Sequence, residues 1–350
     1  MQVTKQKFGV LSDGSKVTLY TVSNGRMSFS VMDYGCTITS ILVPDSKGAA
    51  ADILLGWSTF DGYVTGKGSF NAFVGRFANR ISNARFTVGG KEYKLDVNDH
   101  NNSLHGGFTR YEKMMYESRI VETEYGTGVK FSRLSRDGEQ GYPGNVAIDI
   151  TYTLNEFNEL SLLYTAATDA ATPVNFTNHA YFNLAGNGTI NNHLLKMNCT
   201  RYLEVDPCLI PTGKLLSVQG TPLDFTAEKT VGQDIDKTGI GGYDHCFVTE
   251  AYDPHKNAFE NEKLVHVCTL TDPVSGRTMN MSTNQIGVQL YSGNFVEGMI
   301  GKNGRCYHNH ESICLESQCF PDTPNKSDFP SCVLTPGEKY KSLTVYSFSS

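Results

Sequence analysis

The segment that decides the fold is VAIDITYTLNEFNELSLLYTAAT, residues 146–168. It contains two runs in which apolar and polar residues alternate, VAIDITYTL and ELSLLYTAAT, separated by a short asparagine-bearing segment typical of a turn. Because successive side chains of a strand point to opposite faces of its sheet, each run predicts a β-strand. The same alternation recurs in KVTLYTVSN (16–24), RFTVGGKEYKL (85–95) and KSLTVYSFS (341–349).

Turn residues separate these strand-like runs along the whole chain. Glycine occurs 34 times, and Gly89-Gly90 is placed to form the turn of a hairpin. Helical periodicity over eleven or more residues is absent, and the best short candidate is TVGQDI, residues 230–235. The pattern therefore predicts an all-β protein with few short helices, built as a large antiparallel β-sandwich or a closed barrel. No linker, composition break or repeat divides the sequence, so we expect one domain over residues 1–350.

Charge and cysteine content exclude several classes of function. The chain has 30 basic and 36 acidic residues, a net charge of −6, and no basic run, which argues against a nucleic-acid partner. No apolar stretch is long enough to span a bilayer, and the N-terminus MQVTKQKFGV lacks the apolar core of a secretion signal, so we expect no membrane association and a cytoplasmic location. The nine cysteines include no CxxC pair, which favours reduced thiols over disulfides or a zinc ribbon.

A histidine in the run NFTNHAYFNLAG, residues 175–186, is the first candidate for a functional residue. Strand alternation would place Val174, Phe176, Asn178, Ala180 and Phe182 on one face, and the opposite face would carry polar and aromatic side chains: Asn175, Thr177, His179, Tyr181 and Asn183. A solvent-facing strand usually carries Lys and Glu, and this one has neither. The pattern indicates the wall of a polar cleft, although an ordinary sandwich strand with an idle histidine is the alternative.

A glutamate in the run SICLESQCFPDTPN, residues 312–325, is the second candidate. Glu316 lies in a strand-like segment, with Ile313 and Leu315 on one side and Cys314, Glu316 and Gln318 on the other. A carboxylate in so apolar a segment is costly to bury without partners. Either it pairs structurally with an arginine, or it sits in a site where its basicity is used.

Three further clusters supply side chains of the types that hydrogen-bond sugar hydroxyls. They are FNAFVGRFANRIS (70–82) with Arg76, Asn79 and Arg80; NNSLHGG (101–107) with His105; and GGYDHCFV (241–248) with Asp244 and His245. The segment GVQLYSGNF (287–295) adds Gln289 and Tyr291 on one strand face. The pair His308 and His310 in YHNHE could share a face and hold a metal ion, but no third ligand accompanies it at suitable spacing, which favours a surface loop.

Together these motifs resemble those of the aldose 1-epimerase (galactose mutarotase) family. The resemblance rests on seven segments in the family's order: GRFANRI, NNSLHGG, TNHAYFNLAG, YDHCFV, GVQLYSGNF, LESQCFPDTPN and LTPGEKY. It covers the chain from about residue 70 to the end, and VMDYGCTITSILVPD (31–45) looks like the family's opening strands. One departure is Ser317, where the family often has threonine.

The resemblance implies a fold, an activity and a set of site residues. The fold is a single-domain β-sandwich with an open cleft, and the activity is the interconversion of the α and β anomers of free aldohexoses such as galactose and glucose, without cofactor or metal. By position in the motifs, His179 is the general acid and Glu316 the general base. The positions that bind the sugar or assist its ring oxygen are Asn79, Arg80, His105, Asp244 and Gln289. We expect a monomer or weak dimer.

The implied chemistry requires an acid and a base that face each other across the sugar. Ring opening removes the proton of the C1 hydroxyl while the ring oxygen receives another. A glutamate with a pKa near ~4.3 is ionised at neutral pH, whereas a histidine near ~6.5 is mostly neutral and needs a carboxylate to raise its pKa. With Glu316 or Asp244 in that position, we expect the pKa of His179 to be raised.

Three alternative functions stay open at this point. A hexose 6-phosphate epimerase would need further cationic side chains for the phosphate, and Arg76 is the only spare arginine near the motifs. A glycosidase would use Glu316 and Asp244 as its carboxylate pair. A non-catalytic sugar-binding module would usually have lost the acid or the base, and this sequence retains both.

Overall fold

The alternating segments form antiparallel strands, as predicted. The computed structural model describes residues 1–350. Strands of the first part of the chain are β1 (Gln2–Val10), β2 (Lys16–Ser23), β3 (Ser28–Met32), β4 (Ile38–Pro44), β5 (Ala50–Asp52), β6 (Phe73–Val74), β7 (Arg80–Ile81), β8 (Arg85–Val88), β9 (Lys91–Lys94), β10 (Ser103–Leu104), β11 (Glu117–Thr123), β12 (Gly126–Ser135), β13 (Val146–Leu154) and β14 (Glu159–Thr168). Those of the remainder are β15 (Thr172–Pro173), β16 (Thr177–Asn178), β17 (Leu194–Met197), β18 (Arg201–Val205), β19 (Pro211–Ser217), β20 (Lys229–Thr230), β21 (Asp244–Val248), β22 (Val265–Thr271), β23 (Thr278–Thr283), β24 (Gly287–Tyr291), β25 (Cys314–Gln318), β26 (Val333–Leu334) and β27 (Tyr340–Ser349).

Helices are few and short. The α-helix is α1 (Phe60–Thr65), and the 3-10 helices are Ser82–Ala84, Tyr111–Lys113, Glu139–Gly141, Val231–Gln233, Ile235–Lys237, Lys302–Gly304 and Thr323–Asn325. Two of the 3-10 turns fall where TVGQDI gave the best helical candidate. None of the helices has the length and apolar character that crossing a bilayer requires.

Three sheets form the two layers of the sandwich. The first layer is one nine-stranded sheet in the order β11-β12-β13-β14-β27-β23-β22-β17-β20. The second consists of two five-stranded sheets, β1-β2-β3-β4-β5 and β19-β18-β21-β24-β25. All three contribute to one apolar core, in which Ile150 of β13, Phe29 of β3 and Leu290 of β24 are fully buried. Burial of each such side chain stabilises the fold by about 1.5–3 kcal/mol.

The predicted hairpin at residues 85–95 is confirmed. Val88 of β8 faces Lys91 of β9 across a two-residue turn. The turn residues Gly89 and Gly90 have φ values of 59° and 78°. Two consecutive positive φ angles match the twist of the flanking strands and are adopted at low cost only by residues such as glycine.

The prediction of one alternating strand around His179, with a polar face that forms the wall of a cleft, is wrong in its strand geometry. Only Thr177–Asn178 is a strand, and every side chain from residue 175 to 183 is buried. The asparagine side chains hydrogen-bond to backbone groups. Asn175 donates from Nδ2 to the Ala78 carbonyl at 3.0 Å and accepts at Oδ1 from the Cys319 N–H at 2.9 Å. The segment lacks a continuous partner strand, so its polar side chains satisfy backbone groups that a ladder would otherwise pair.

Candidate active site

A cleft of ≈ 270 Å³ lies over the sheet β19-β18-β21-β24-β25. It is lined by all seven residues that the motifs singled out: Asn79, Arg80, His105, His179, Asp244, Gln289 and Glu316. These residues come from distant parts of the chain, and the fold brings them to one place. Of the five residues once assigned to a polar face around His179, only His179 and Tyr181 line the cleft.

Three neighbouring strands, β21, β24 and β25, form the floor of the cleft. Gln289 of β24 lies directly opposite Glu316 of β25, and Asp244 of β21 lies opposite Tyr291 of β24. Residues directly opposite in an antiparallel pair point to the same face, so these four side chains share one surface of the sheet. Here strand alternation predicted the grouping of Gln289 with Tyr291, and β25 places Glu316 on the same face.

His179 and Glu316 form the centre of the cleft. Their atoms Nε2 and Oε1 are 3.7 Å apart. Neither ring nitrogen of His179 hydrogen-bonds to the protein, and Nδ1 is buried without a partner. Glu316 Oε2 is likewise buried without a partner, although the residue is only 2% exposed. Both groups therefore keep their hydrogen-bonding capacity for a ligand.

Aromatic contacts, rather than hydrogen bonds, hold the imidazole of His179. Its ring stacks on Tyr181 with centroids 4.8 Å apart and an interplanar angle of 10°. The rings of His105 and Tyr291 meet it edge-on, at 5.4 Å and 5.9 Å. Stacked and edge-on aromatic pairs each contribute about 0.5–1.5 kcal/mol beyond their buried area. The orientation of the ring is thus fixed without engaging either nitrogen.

The expectation that a carboxylate raises the pKa of His179 is wrong. Burial lowers the pKa of His179 to about 4, and the positive charge of Arg110 acts in the same direction. Burial also raises the pKa of Glu316 well above its usual value, with the charge of Asp244 adding to the effect and Arg80 opposing it. Desolvation disfavours both the anion of Glu316 and the cation of His179, and for His179 it outweighs the attraction of the neighbouring carboxyl.

Glu316 has no arginine partner, which answers the question left open by its sequence context. Its one ion-pair contact is with His179, and no arginine forms a salt bridge with it. The structural reading, a buried pair that holds the fold together, therefore does not apply. A buried carboxyl with a raised pKa in a cleft is typical of a functional site.

Asn79 and His105 brace each other at one side of the cleft. The Asn79 N–H donates to Nδ1 of His105 at 3.1 Å, and the His105 N–H donates to the Asn79 carbonyl at 3.2 Å. Since Nδ1 accepts, the proton of the neutral ring is on Nε2. Burial lowers the pKa of His105 well below its usual value, which keeps the ring neutral. Both residues have positive φ, 66° and 53°, a strained conformation that is concentrated at functional sites.

Arg80 and Asp244 are each tied to a polar neighbour on the far side of the cleft. Arg80 donates from Nε to Asp99 Oδ2 at 2.7 Å, which leaves its two terminal nitrogens without protein acceptors. Gln289 donates from Nε2 to Asp244 Oδ1 at 2.6 Å and accepts at Oε1 from Gln318 Nε2 at 3.4 Å. These contacts fix the orientation of the Gln289 amide, because only its nitrogen can donate to the carboxylate.

Several cleft residues were not selected as site residues from the sequence. Arg110, Phe70 and Phe295 line the cleft. Arg110 follows the SLHGG motif closely, but a lone arginine in a loop has no pattern that distinguishes it. Phe70 packs on Tyr181 with ring centroids 4.5 Å apart, a contact between loops distant in the chain.

Arg76, weighed as a phosphate-binding residue, does not reach the cleft. It is fully buried, and Nη1 donates to the carbonyls of Pro143 and Gly144 at 2.7 Å and 3.1 Å. The pair His308 and His310 lies in the loop before β25, where His308 Nδ1 is 2.8 Å from Glu297 Oε1 and His310 Nδ1 is 3.2 Å from the Ser292 carbonyl. The two imidazoles therefore engage different partners.

Comparison with protein families and curated proteins gives consistent matches. The profile of the family described as aldose 1-epimerase matches residues 18–347. The chain is 41% identical to galactose mutarotase of Mus musculus over 353 residues, covering 100% of this chain and 99% of that protein. It is 35% identical to aldose 1-epimerase of Escherichia coli K12 over 344 residues, covering 96% of each.

Solved structures match over nearly the whole chain. An aldose epimerase homologue from C. elegans superposes with a TM-score of 0.84 at 29% identity, covering 94% of this chain and 98% of that one. Galactose 1-epimerase from Lactobacillus acidophilus superposes with a TM-score of 0.85 at 26% identity, covering 99% and 98%. The sandwich architecture described above is therefore shared with both.

Proposed function

The chain belongs to the aldose 1-epimerase family, whose members interconvert aldose anomers, and we propose that it does so on free aldohexoses such as galactose and glucose through proton transfer between Glu316 and His179. The observation that carries the residue assignment is the 3.7 Å separation of His179 Nε2 and Glu316 Oε1 at the centre of the cleft. The ring oxygen and the C1 hydroxyl oxygen of a pyranose are bonded to the same carbon. A donor and an acceptor this close together can each hydrogen-bond one of these two oxygens.

The reaction balances as two proton transfers. Glu316 removes the proton of the C1 hydroxyl, the C1–O5 bond breaks as the carbonyl forms, and the ring oxygen takes a proton from Nε2 of His179. Rotation about C1–C2 turns the other face of the aldehyde toward O5. Ring closure reverses the transfers, so both side chains return to their initial protonation states and no other reactant is consumed.

Burial favours the product side of the ring-opening step. The reactive form before opening is the carboxylate of Glu316 with the imidazolium of His179, and after opening both groups are uncharged. The raised pKa of Glu316 and the lowered pKa of His179, about 4, both result from burial and both favour the uncharged pair. In the ionised form, the mutual attraction of the two charges in a site of low dielectric offsets part of their desolvation cost. Loss of both charges in the transition state then relieves their desolvation.

The remaining cleft residues fit the binding of a neutral polyhydroxylated ring. His105 offers Nε2–H, Arg80 offers its terminal nitrogens, and Asp244 offers acceptor oxygens. We assign Asn79 and Gln289 to the same group. Sugar hydroxyls both donate and accept, so a mixed set of donors and acceptors orients the ring.

We further propose that the protein works as a single domain over residues 1–350, as a monomer or weak dimer in the cytoplasm. All seven site residues that the motifs predict meet in one cleft of a single chain, which supports function without a partner subunit. All nine cysteines are free, and seven of them are buried, which suits a reducing compartment.

Polarimetry of freshly dissolved α-D-galactose and α-D-glucose tests the assignment. The variants His179→Ala and Glu316→Ala should each relax the sugar about 10²–10⁴-fold more slowly than the wild type, the usual contribution of a positioned acid or base. Arg85→Gln, a change at an exposed residue of the β8–β9 hairpin, is the control and should be fully active. If both alanine variants relax the sugar as fast as the wild type, the proposed mechanism is wrong.

A further inference from the structure

Arg110 presents unused hydrogen-bond donors at the cleft. Its Nε donates to the Gly107 carbonyl at 3.3 Å, and its Nη1 donates to Ser69 Oγ at 3.1 Å and to Glu112 Oε1 at 3.4 Å. Its Nη2 donates to no protein atom, and the residue lines the cleft with its side chain 29% exposed. Three anchors on a rigid, planar group fix the direction of the two remaining N–H bonds. The guanidinium is therefore preorganised to bind a ligand oxygen.

The anchors of Arg110 place it at the acid end of the catalytic pair. Gly107 lies two residues after His105, whose ring meets that of His179 at 5.4 Å. Ser69 precedes Phe70, which packs on Tyr181, the residue stacked on His179. The charge of Arg110 accordingly contributes to the lowered pKa of His179, whereas the charges that act on Glu316 are those of Asp244 and Arg80.

Substrate chemistry identifies what lies at that end. In the proposed mechanism His179 protonates the ring oxygen, which is bonded to C1 and to C5. The C1 hydroxyl points to Glu316, so the other neighbour, C5 with its exocyclic carbon C6, extends away from the base. We propose that Arg110 binds the exocyclic C6 hydroxyl of an aldohexose through Nη2 and is a specificity residue for hexoses over pentoses. The assignment rests on the proposed function of His179 and Glu316.

The charge environment favours a hydroxyl over an anionic group at C6. Glu112 lies 3.4 Å from Nη1 of Arg110 and is only 8% exposed, so it offsets the charge of the guanidinium. Arg80 is paired in the same way with Asp99. Each cation near the cleft thus has its own carboxylate, and a phosphate or carboxylate on the sugar would bring a negative charge that no free cation compensates.

Three sugars, two variants of Arg110 and the control Arg85→Gln test the proposal. D-galactose carries the C6 hydroxyl, 6-deoxy-D-galactose lacks only that hydroxyl, and L-arabinose has the same ring configuration without C6. A hydrogen bond from a charged donor is worth enough to change kcat/KM by about tenfold or more. Arg110→Gln should lower the ratio of kcat/KM for D-galactose to kcat/KM for each of the other two sugars by that factor, mainly through KM, because any effect of the lost charge on His179 is shared by all three sugars.

Retained activity on L-arabinose shows that a variant is folded, and Arg85→Gln should change none of the three values. Should Arg110→Gln not fold, Arg110→Lys must show a galactose-specific loss, and the wild type must prefer D-galactose to 6-deoxy-D-galactose by about tenfold. Equal losses on all three sugars, or no discrimination by the wild type, overturn the proposal for Arg110. A wild type that accelerates none of them overturns the proposed function instead.

Discussion

Replacing Glu316 with glutamine should remove activity and at the same time stabilise the protein. Glutamine has nearly the same shape as the carboxyl it replaces but cannot ionise. In the unfolded chain the carboxyl ionises near its ordinary value, whereas burial in the folded protein raises its pKa well above that value. Between these two pKa values the folded state binds more protons than the unfolded state, so the wild type loses stability as pH rises.

The size of the effect follows from the linkage between protonation and folding. Each pH unit within that window removes about 1.4 kcal/mol of unfolding free energy from the wild type and nothing from the variant. For a chain of 350 residues this corresponds to roughly 2 °C in Tm per pH unit. The two proteins should therefore have similar Tm values near pH 4 and diverge in favour of Glu316→Gln as pH rises toward neutrality.

Thermal and urea unfolding of both proteins across this pH range provide the measurement. Glu311→Gln is the matched control, because Glu311 is also buried, at 5% exposure, but accepts a hydrogen bond from Arg305 at 2.5 Å. The same substitution there removes a compensated charge and should destabilise the protein at neutral pH. A Glu316→Gln variant that is less stable than the wild type at neutral pH, or a difference that does not grow with pH, would refute the reasoning.

Three further outcomes can be measured. The pH profile of kcat/KM should be bell-shaped, because the active pair holds one shared proton: activity falls below about pH 4, where His179 and Glu316 are both protonated, and again above the raised pKa of Glu316. An acid limb near pH 6.5 would contradict the effect of burial. Gln318→Leu should raise KM several-fold with little change in kcat, because the Gln289 amide loses the donor to its oxygen and holds Asp244 less firmly. Arg76→Met should lower the free energy of unfolding by about 3 kcal/mol or more, measured in urea, because the carbonyls that it satisfies stay buried.

Local pattern predicted the fold well where strands pair regularly. Both bounds of β13 and β14 coincide with the alternating runs of residues 146–168, because these strands lie inside the nine-stranded sheet and their inner faces pack in the core. The two-glycine turn of the β8–β9 hairpin was predictable for the same reason, since its chemistry is local. The division of the second layer into two sheets was not predictable from the sequence, because it depends on contacts between distant segments.

The alternation of apolar and polar residues gave a wrong prediction around His179. It assumed a continuous strand with a paired neighbour, and the chain forms no such strand there. Asn175 pairs with backbone groups of Ala78 and Cys319, which no local sequence rule could have identified. The direction of the His179 pKa was mispredicted because burial by residues far along the chain outweighs the neighbouring carboxyl. Arg110 could not be selected from the sequence, because its proposed role depends on Nη2, the guanidinium nitrogen that donates to no protein atom.

The contrast between Asn175 and the proposed catalytic pair, His179 and Glu316, explains how one buried region can serve both folding and reaction. Asn175 has a partner for each of its amide atoms, whereas Glu316 Oε2 and His179 Nδ1 have none. Buried polar atoms without protein partners are costly, and stacking on Tyr181 keeps the imidazole in place without supplying such a partner. A pyranose brings the missing groups, a hydroxyl donor for the carboxylate and a ring oxygen for the imidazolium. In the proposed mechanism, the desolvation that penalises the pair when charged favours the proton transfers that neutralise it, so burial acts on the reaction as well as on the fold.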